Sequence, residues 1–184
     1  MPSKKTIERQ YQLIMPHMEA ANKYMTGLLR FLPSADFTLE TNIKPLNSVI
    51  HKMEERKEKN LLHLSDLARG RLFYSDNYTQ NDVFKLLKQI AKDKIIKVDP
   101  KKEKHFGLKY KGVLHLDFQI GLIIFELQIV PMEFKPFKKL LHRIYEKLRN
   151  ENHLTKQQKE KLQEIHNALY DDLMRKAKEN RKDL

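Results

Sequence analysis

Two carboxylates stand out as the residues of this chain best suited to chemistry. Glu126 sits in the middle of a very apolar run, IIFELQIV, and Asp66 opens a segment that carries Arg69 and Arg71. A carboxylate on an apolar strand marks either a solvated strand face or a site. Two carboxylates on neighbouring strands could hold Mg²⁺, which takes oxygen ligands and completes its shell with water and substrate phosphates. Lys44, Ser48 and Lys52 follow at intervals of four. On a helix that spacing puts them on one face, near an N-terminus whose N–H groups already favour anions. Surface lysines often show the same spacing, so it selects nothing by itself. Carboxylates, lysines, a hydroxyl and arginines together make the ensemble used in phosphoryl or pyrophosphoryl transfer, where catalysis is chiefly positioning and charge stabilisation.

The element that must position Glu126 is a β-hairpin over residues 111–131. Leu114, Leu116 and Phe118 alternate with Val113, His115, Asp117 and Gln119 on the first arm. Ile123, Phe125, Leu127 and Ile129 alternate with Leu122, Ile124, Glu126, Gln128 and Val130 on the second. Period-two alternation is the signature of a half-buried strand. A turn at Ile120-Gly121 would place His115 opposite Glu126 and Val113 opposite Gln128. It gathers His115, Asp117, Glu126 and Gln128 on one face, with His115 as a hydrogen-bond partner of Glu126 rather than a metal ligand.

The other elements follow from the same periodicities. Residues 6–32 carry a helical stripe, Ile7, Tyr11, Ile14, Met18, Ala21, Met25, Leu28 and Leu32, which Pro16 must kink or divide. Residues 37–43 form a short extended piece. Pro45 suits the first position of a helix running to about residue 59. A strand follows with Asp66 at its start, then a helix from Thr79 or Gln80 to about Lys92 and a strand at 94–98. A basic loop at 99–109, either solvated charge or a mobile lid, delivers Tyr110 to the foot of the hairpin. Beyond Pro131, Phe134, Phe137, Leu141, Ile144, Tyr145 and Leu148 form one helical stripe. Thr155 and Gln158 make a capping box for a last helix with the stripe Leu162, Ile165, Leu169, Leu173 and Ala177. The expected fold class is α+β, a mixed sheet packed by helices in one domain over 1–184, with helical flanks at 4–32 and 134–181 around a core at about 42–131.

Composition narrows the function classes. The 184 residues hold 36 Lys and Arg against 24 Asp and Glu, a net charge of +12. That favours a polyanionic partner, whether nucleotide, nucleic acid or acidic membrane, or serves solubility. Cysteine is absent, which excludes disulfides and thiolate metal sites. The eight histidines are scattered without a pair spaced for zinc. No apolar run approaches a membrane span, and the charged N-terminus lacks a signal-peptide core. The expectation is a cytoplasmic protein without a membrane partner.

The order KPLNSVIHK, SDLARGRLFY, LKYKGVLHLDFQIGLIIFELQI resembles the synthetase domain of the RelA/SpoT family, the small alarmone synthetases and their toxin relatives. The resemblance covers about 42–131. It implies a nucleotidyltransferase-like fold and a pyrophosphokinase that moves the β,γ-diphosphate of ATP to the 3′-hydroxyl of GDP or GTP, with Mg²⁺ as cofactor. By this resemblance Lys44 and Lys52 contact the phosphates of ATP, with Ser48 at the motif's serine. Asp66 is the metal-binding aspartate, Arg71 lies near the nucleotide phosphates, and Arg69 occupies a position that is arginine in many short members. Tyr110 stacks on the acceptor base, with His115 and Gln128 on the acceptor side. Glu126 completes the metal site and assists the attacking hydroxyl. Asn42 stands where the family usually has arginine, and Lys109 where it has glycine. No His-Asp dipeptide is present, so the family's hydrolase domain is absent. Two other readings stay open: a toxin-type enzyme that pyrophosphorylates the 3′ end of tRNA, and a non-catalytic basic RNA-binding module. The terminal helices either pack on the sheet or build a homo-oligomer.

Overall fold

A computed structural model of the chain describes residues 2–100, 108, 113–150 and 153–179. Its elements run α1 (Lys4–Leu28), β1 (Phe37–Ile43), α2 (Leu46–Arg56), β2 (Ala68–Tyr74), α3 (Gln80–Ala91), β3 (Ile95–Pro100), β4 (Leu114–Ile120), β5 (Ile123–Pro131), α4 (Lys138–Asn150) and α5 (Lys156–Glu179). The strands form one mixed sheet in the order β1-β2-β5-β4-β3. β2 and β5 are parallel, and the other neighbours are antiparallel. The fold class is α+β, as the alternation of patterns predicts.

Strand alternation divides the sheet into two unlike faces. Leu114, Leu116, Phe118, Ile123, Phe125, Leu127 and Ile129 are all buried. They join Ile7, Met18 and Met25 of α1, Val49 and Met53 of α2, and Val83 and Leu87 of α3 in the main core. The opposite face is apolar only toward one end, where Phe73, Val113 and Val130 pack with Phe134, Tyr170 and Leu173. The rest of that face carries the polar residues of β1, β2, β4 and β5. Ion pairs tether α4 to two other elements, Lys138 to Glu40 of β1 and Arg149 to Glu55 of α2.

Several local expectations change. Pro16 lies inside α1 without dividing it, and the helix ends at Leu28, followed by a short 3₁₀ turn over Leu29–Phe31. Pro45 precedes α2 as its N-cap rather than opening it. That helix stops at Arg56 because Lys57 turns left-handed at φ 53, and its N–H is taken up by the carbonyl of Glu54. Asp66 lies ahead of β2 instead of starting it. In α5 the buried stripe is His166, Tyr170, Leu173 and Ala177, whereas Ile165 is 46% exposed. The buried face differs from the leucine stripe because a histidine and a tyrosine can cover an apolar surface as well as leucines do. The Thr155–Gln158 capping box forms in both directions, at 2.9 and 3.2 Å.

The hairpin register moves by two residues. Ile120 pairs with Ile123, so the loop is Gly121-Leu122. Gly121 adopts φ 57, the positive value that a two-residue turn with glycine at its first central position requires. Asp117 therefore faces Glu126, and His115 faces Gln128. A shift of two preserves the faces, so the polar set stays together while its pairings change. No helix among the described residues is long and apolar enough to cross a membrane.

Candidate functional site

Asp66 is held from two sides. The Lys44 ammonium donates to its Oδ2 at 2.8 Å, and the Lys52 ammonium lies 2.6 Å from its Oδ1. All three side chains are largely buried, 8% exposed for Lys44, 12% for Lys52 and 10% for Asp66. The two lysines converge from different backbone settings. Lys52 projects from the middle of α2, whereas Lys44 lies in the two-residue link between β1 and α2. The shared helix face expected for Lys44, Ser48 and Lys52 does not exist, because the helix begins only at Leu46. Ser48 is exposed on α2 and stays outside this cluster. Burial opposes ionisation of Asp66, but the hydrogen bonds and charges of Lys44 and Lys52 outweigh it and hold the carboxyl at about 2. Burial in turn lowers the Lys52 ammonium, against the pull of Asp66.

Two polar rungs cross the sheet on this face. In one, Asn42, Arg69, Glu126, Asp117 and Lys97 are successive partners across the five strands. In the other, Glu40, Arg71, Gln128 and His115 follow in the same order. Hydrogen bonds run within and between the rungs. Arg69 donates through Nε to Asn42 Oδ1 at 2.9 Å, and Arg71 donates through Nε to Gln128 Oε1 at 2.8 Å. Gln128 Nε2 donates to Glu126 Oε1 at 3.2 Å. Glu126 is thus bonded on one oxygen, while its other oxygen lies 3.7 Å from His115 Nδ1. Burial pushes the Glu126 carboxyl up and Asp66 adds to that push, yet His115 and Gln128 bring it below its ordinary value. Both candidate carboxylates are therefore ionised at neutral pH. The influence of Asp66 on Glu126 puts the two in one electrostatic neighbourhood.

Between α2 and the strands lies a pocket of about 190 Å³ lined by Lys52, Arg56, Ser65, Lys97, His115, Asp117 and Glu126. Lys52 connects it to the Asp66 cluster, since the same side chain touches Asp66 and lines the pocket. Of the residues singled out in the sequence, Lys52, His115 and Glu126 meet here. Asp66 stands behind Lys52, and Arg69, Arg71 and Gln128 lie beside Glu126 on the sheet. Tyr110 lies outside the described residues.

Three lining residues, Arg56, Ser65 and Lys97, are not among those the sequence singles out. Arg56 is four residues after Lys52 on the same helix, a spacing the sequence does show. Asp117 was on the expected face but without its pairing to Glu126. Lys97 depends on which strand neighbours β4, and Ser65 on how the chain enters β2; no local pattern carries either.

The donor chemistry suits a hard divalent cation. Asp66 and Glu126 offer only oxygen, and both are ionised. Among the described residues no cluster of three or more His, Asp or Glu side chains forms a cage for a metal. Mg²⁺ is an ion that binds through one or two carboxylates and leaves the remaining positions to water and phosphate. Both Asp66 oxygens face ammonium groups.

No protein-family model matches the chain, and no curated protein matches it. Solved structures do. The chain is similar to a GTP pyrophosphokinase family protein from Streptococcus pneumoniae, with a TM-score of 0.68 at 18% identity, covering 95% of this chain and 94% of that one. Small alarmone synthetase 2 from Bacillus subtilis superposes at a TM-score of 0.65 and 19% identity over 96% and 98% of the two chains. Small alarmone synthetase 1 from the same organism, bound to its product pppGpp, gives 0.64 at 15% identity over 95% and 94%. The fold is that of the small alarmone synthetases.

Proposed function

We propose that the protein is an ATP-dependent nucleotide 3′-pyrophosphokinase whose acceptor is a guanosine nucleotide. The observation that carries this reading is the Lys44–Asp66–Lys52 cluster joined through Lys52 to a basic pocket that contains Glu126. One solved structure of the same fold is bound to its product pppGpp, which supports a guanosine acceptor.

In this reaction the acceptor 3′-oxygen bonds to the β-phosphorus of ATP. The bond from that phosphorus to the oxygen of the α-phosphate breaks, and AMP leaves. Lys44 and Lys52 hold the polyphosphate, assisted by Arg69 and Arg71, whose Nε atoms are fixed by Asn42 and Gln128. Glu126, ionised and held through one oxygen by Gln128, takes the proton of the attacking hydroxyl. Asp66 and Glu126 are the residues that would hold Mg²⁺, and the ion would neutralise charge on the transferred diphosphate. The substrate phosphates would then take over the lysines that Asp66 engages.

The test is transfer of label from γ-labelled ATP, with Mg²⁺, to GDP, GTP, ATP or deacylated tRNA. The expected result is label on GDP or GTP, lost in Asp66→Ala and in Glu126→Ala. Transfer that survives both substitutions overturns the mechanism, and no label on any acceptor overturns the enzyme reading in favour of a binding module. A second reading, tRNA as acceptor, is favoured by Lys139, Arg143 and Lys147, which repeat every four residues and are exposed on α4. Such a stripe suits an RNA backbone, and label on tRNA alone would establish that reading.

A further inference from the structure

Lys44 is tied down by three contacts, only one of which involves its side chain. Its N–H donates to the carbonyl of Leu67 at 2.8 Å, which binds the link after β1 to the segment just past Asp66. Its carbonyl accepts from the hydroxyl of Tyr11, also at 2.8 Å. Tyr11 belongs to α1, thirty-three residues earlier in the chain, and is 5% exposed. Tyr11 was on the predicted apolar stripe of that helix, and its ring does pack in the main core. Its hydroxyl reaches through the core to the backbone beside the charged cluster.

We infer that Tyr11 is a positioning residue of the site: its hydroxyl fixes the peptide of Lys44 so that the ammonium of Lys44 meets Asp66. Lys44 lies outside any helix or strand, so no regular ladder holds its carbonyl. A buried carbonyl without a partner would be costly, and Tyr11 is the donor that satisfies it. The Leu67 contact holds the residue through its N–H and the Tyr11 contact through its carbonyl, so the Cα–Cβ bond that carries the ammonium toward Asp66 starts from a backbone fixed on both sides. The N-terminal helix is thereby part of the site's framework as well as a cover for the sheet. The inference rests on the reading of Lys44 as a phosphate contact for its functional consequence, but its structural content stands apart.

The experiment compares Tyr11→Phe with Ile7→Val, a variant of a fully buried neighbour on the same helix that loses packing but no hydrogen bond. Two quantities are measured in each: native-state exchange of the Lys44 amide, normalised to global stability, and affinity for a non-hydrolysable ATP analogue. Tyr11→Phe is expected to speed exchange at Lys44 about three- to tenfold and to weaken the analogue by a similar factor, the scale of one hydrogen bond. Ile7→Val is expected to change neither. Unchanged exchange and affinity in Tyr11→Phe, or equal changes in both variants, would overturn the inference. Faster exchange at Lys44 in Tyr11→Phe alone upholds the positioning role even where the wild-type protein fails to bind the analogue, an outcome that removes only the ATP reading.

Discussion

The Lys52 ammonium lies 2.6 Å from Asp66 Oδ1, and that one lysine links a buried carboxylate to the pocket holding Glu126. Asp66 therefore carries structural as well as chemical weight. Asp66→Asn removes the anion that both ammonium groups contact in a largely buried cluster, at a cost of about 3–5 kcal/mol. Urea denaturation measures it. Adding Lys52→Met to Asp66→Asn should recover part of the loss, because the groups act as a unit; strictly additive costs would show that they do not.

Stability should fall in acid with a sign set by Asp66. Its carboxyl is held at about 2 against an ordinary 3.8. A depressed carboxyl contributes stability that is complete above the unfolded value and is lost as pH falls through the folded one. The loss is about 2 kcal/mol between those limits. Glu126 is lowered too and acts in the same direction. Unfolding free energies measured across this range should slope less steeply for Asp66→Asn than for the wild-type protein. Parallel slopes would remove Asp66 as the cause.

Glu126→Gln isolates charge from shape. The amide keeps the volume and can still accept from Gln128, so stability should change by about 1 kcal/mol or less. Initial rates of diphosphate transfer should fall about a hundredfold or more, the usual loss when a general base is removed. A variant with near-normal rates would take the proton-accepting role away from Glu126.

Two glycines separate crowding from backbone strain. A Cβ on Gly70 would lie 3.1 Å from Leu39 Cδ1 and from Phe125 Cζ, and 3.2 Å from the Glu40 carbonyl oxygen. The carbonyl belongs to β1 and cannot move without disturbing the ladder, so Gly70→Ala should cost about 1–3 kcal/mol. Gly121 has nothing within 4 Å, but its φ is 57. Gly121→Ala should therefore cost only backbone strain, about 1 kcal/mol. Thermal melts of the two variants test the ranking, and a larger loss at Gly121 would reverse it.

Local periodicity determined a good deal of this protein. The alternation from Leu114 to Ile129 specified two strands and their faces, and the stripe from Ile7 to Leu28 specified α1, because burial of one face imposes a period on the chain. The residue types at Asp66, Glu126, Lys44 and Lys52 mark these positions as candidates, and the fold brings Lys44 and Lys52 onto Asp66. Pairing across the chain was beyond the sequence. A register shift of two leaves every side chain on its own face, so the pattern could not distinguish His115 from Asp117 as the partner of Glu126. Lys44 and Lys52 suggested one helix face, yet they meet only because Asp66, from a distant segment, attracts both. The link from Tyr11 to Lys44 spans the core, and Lys97 reaches the pocket through strand order. These contacts join segments far apart in the chain, and only the tertiary fold sets which of them meet.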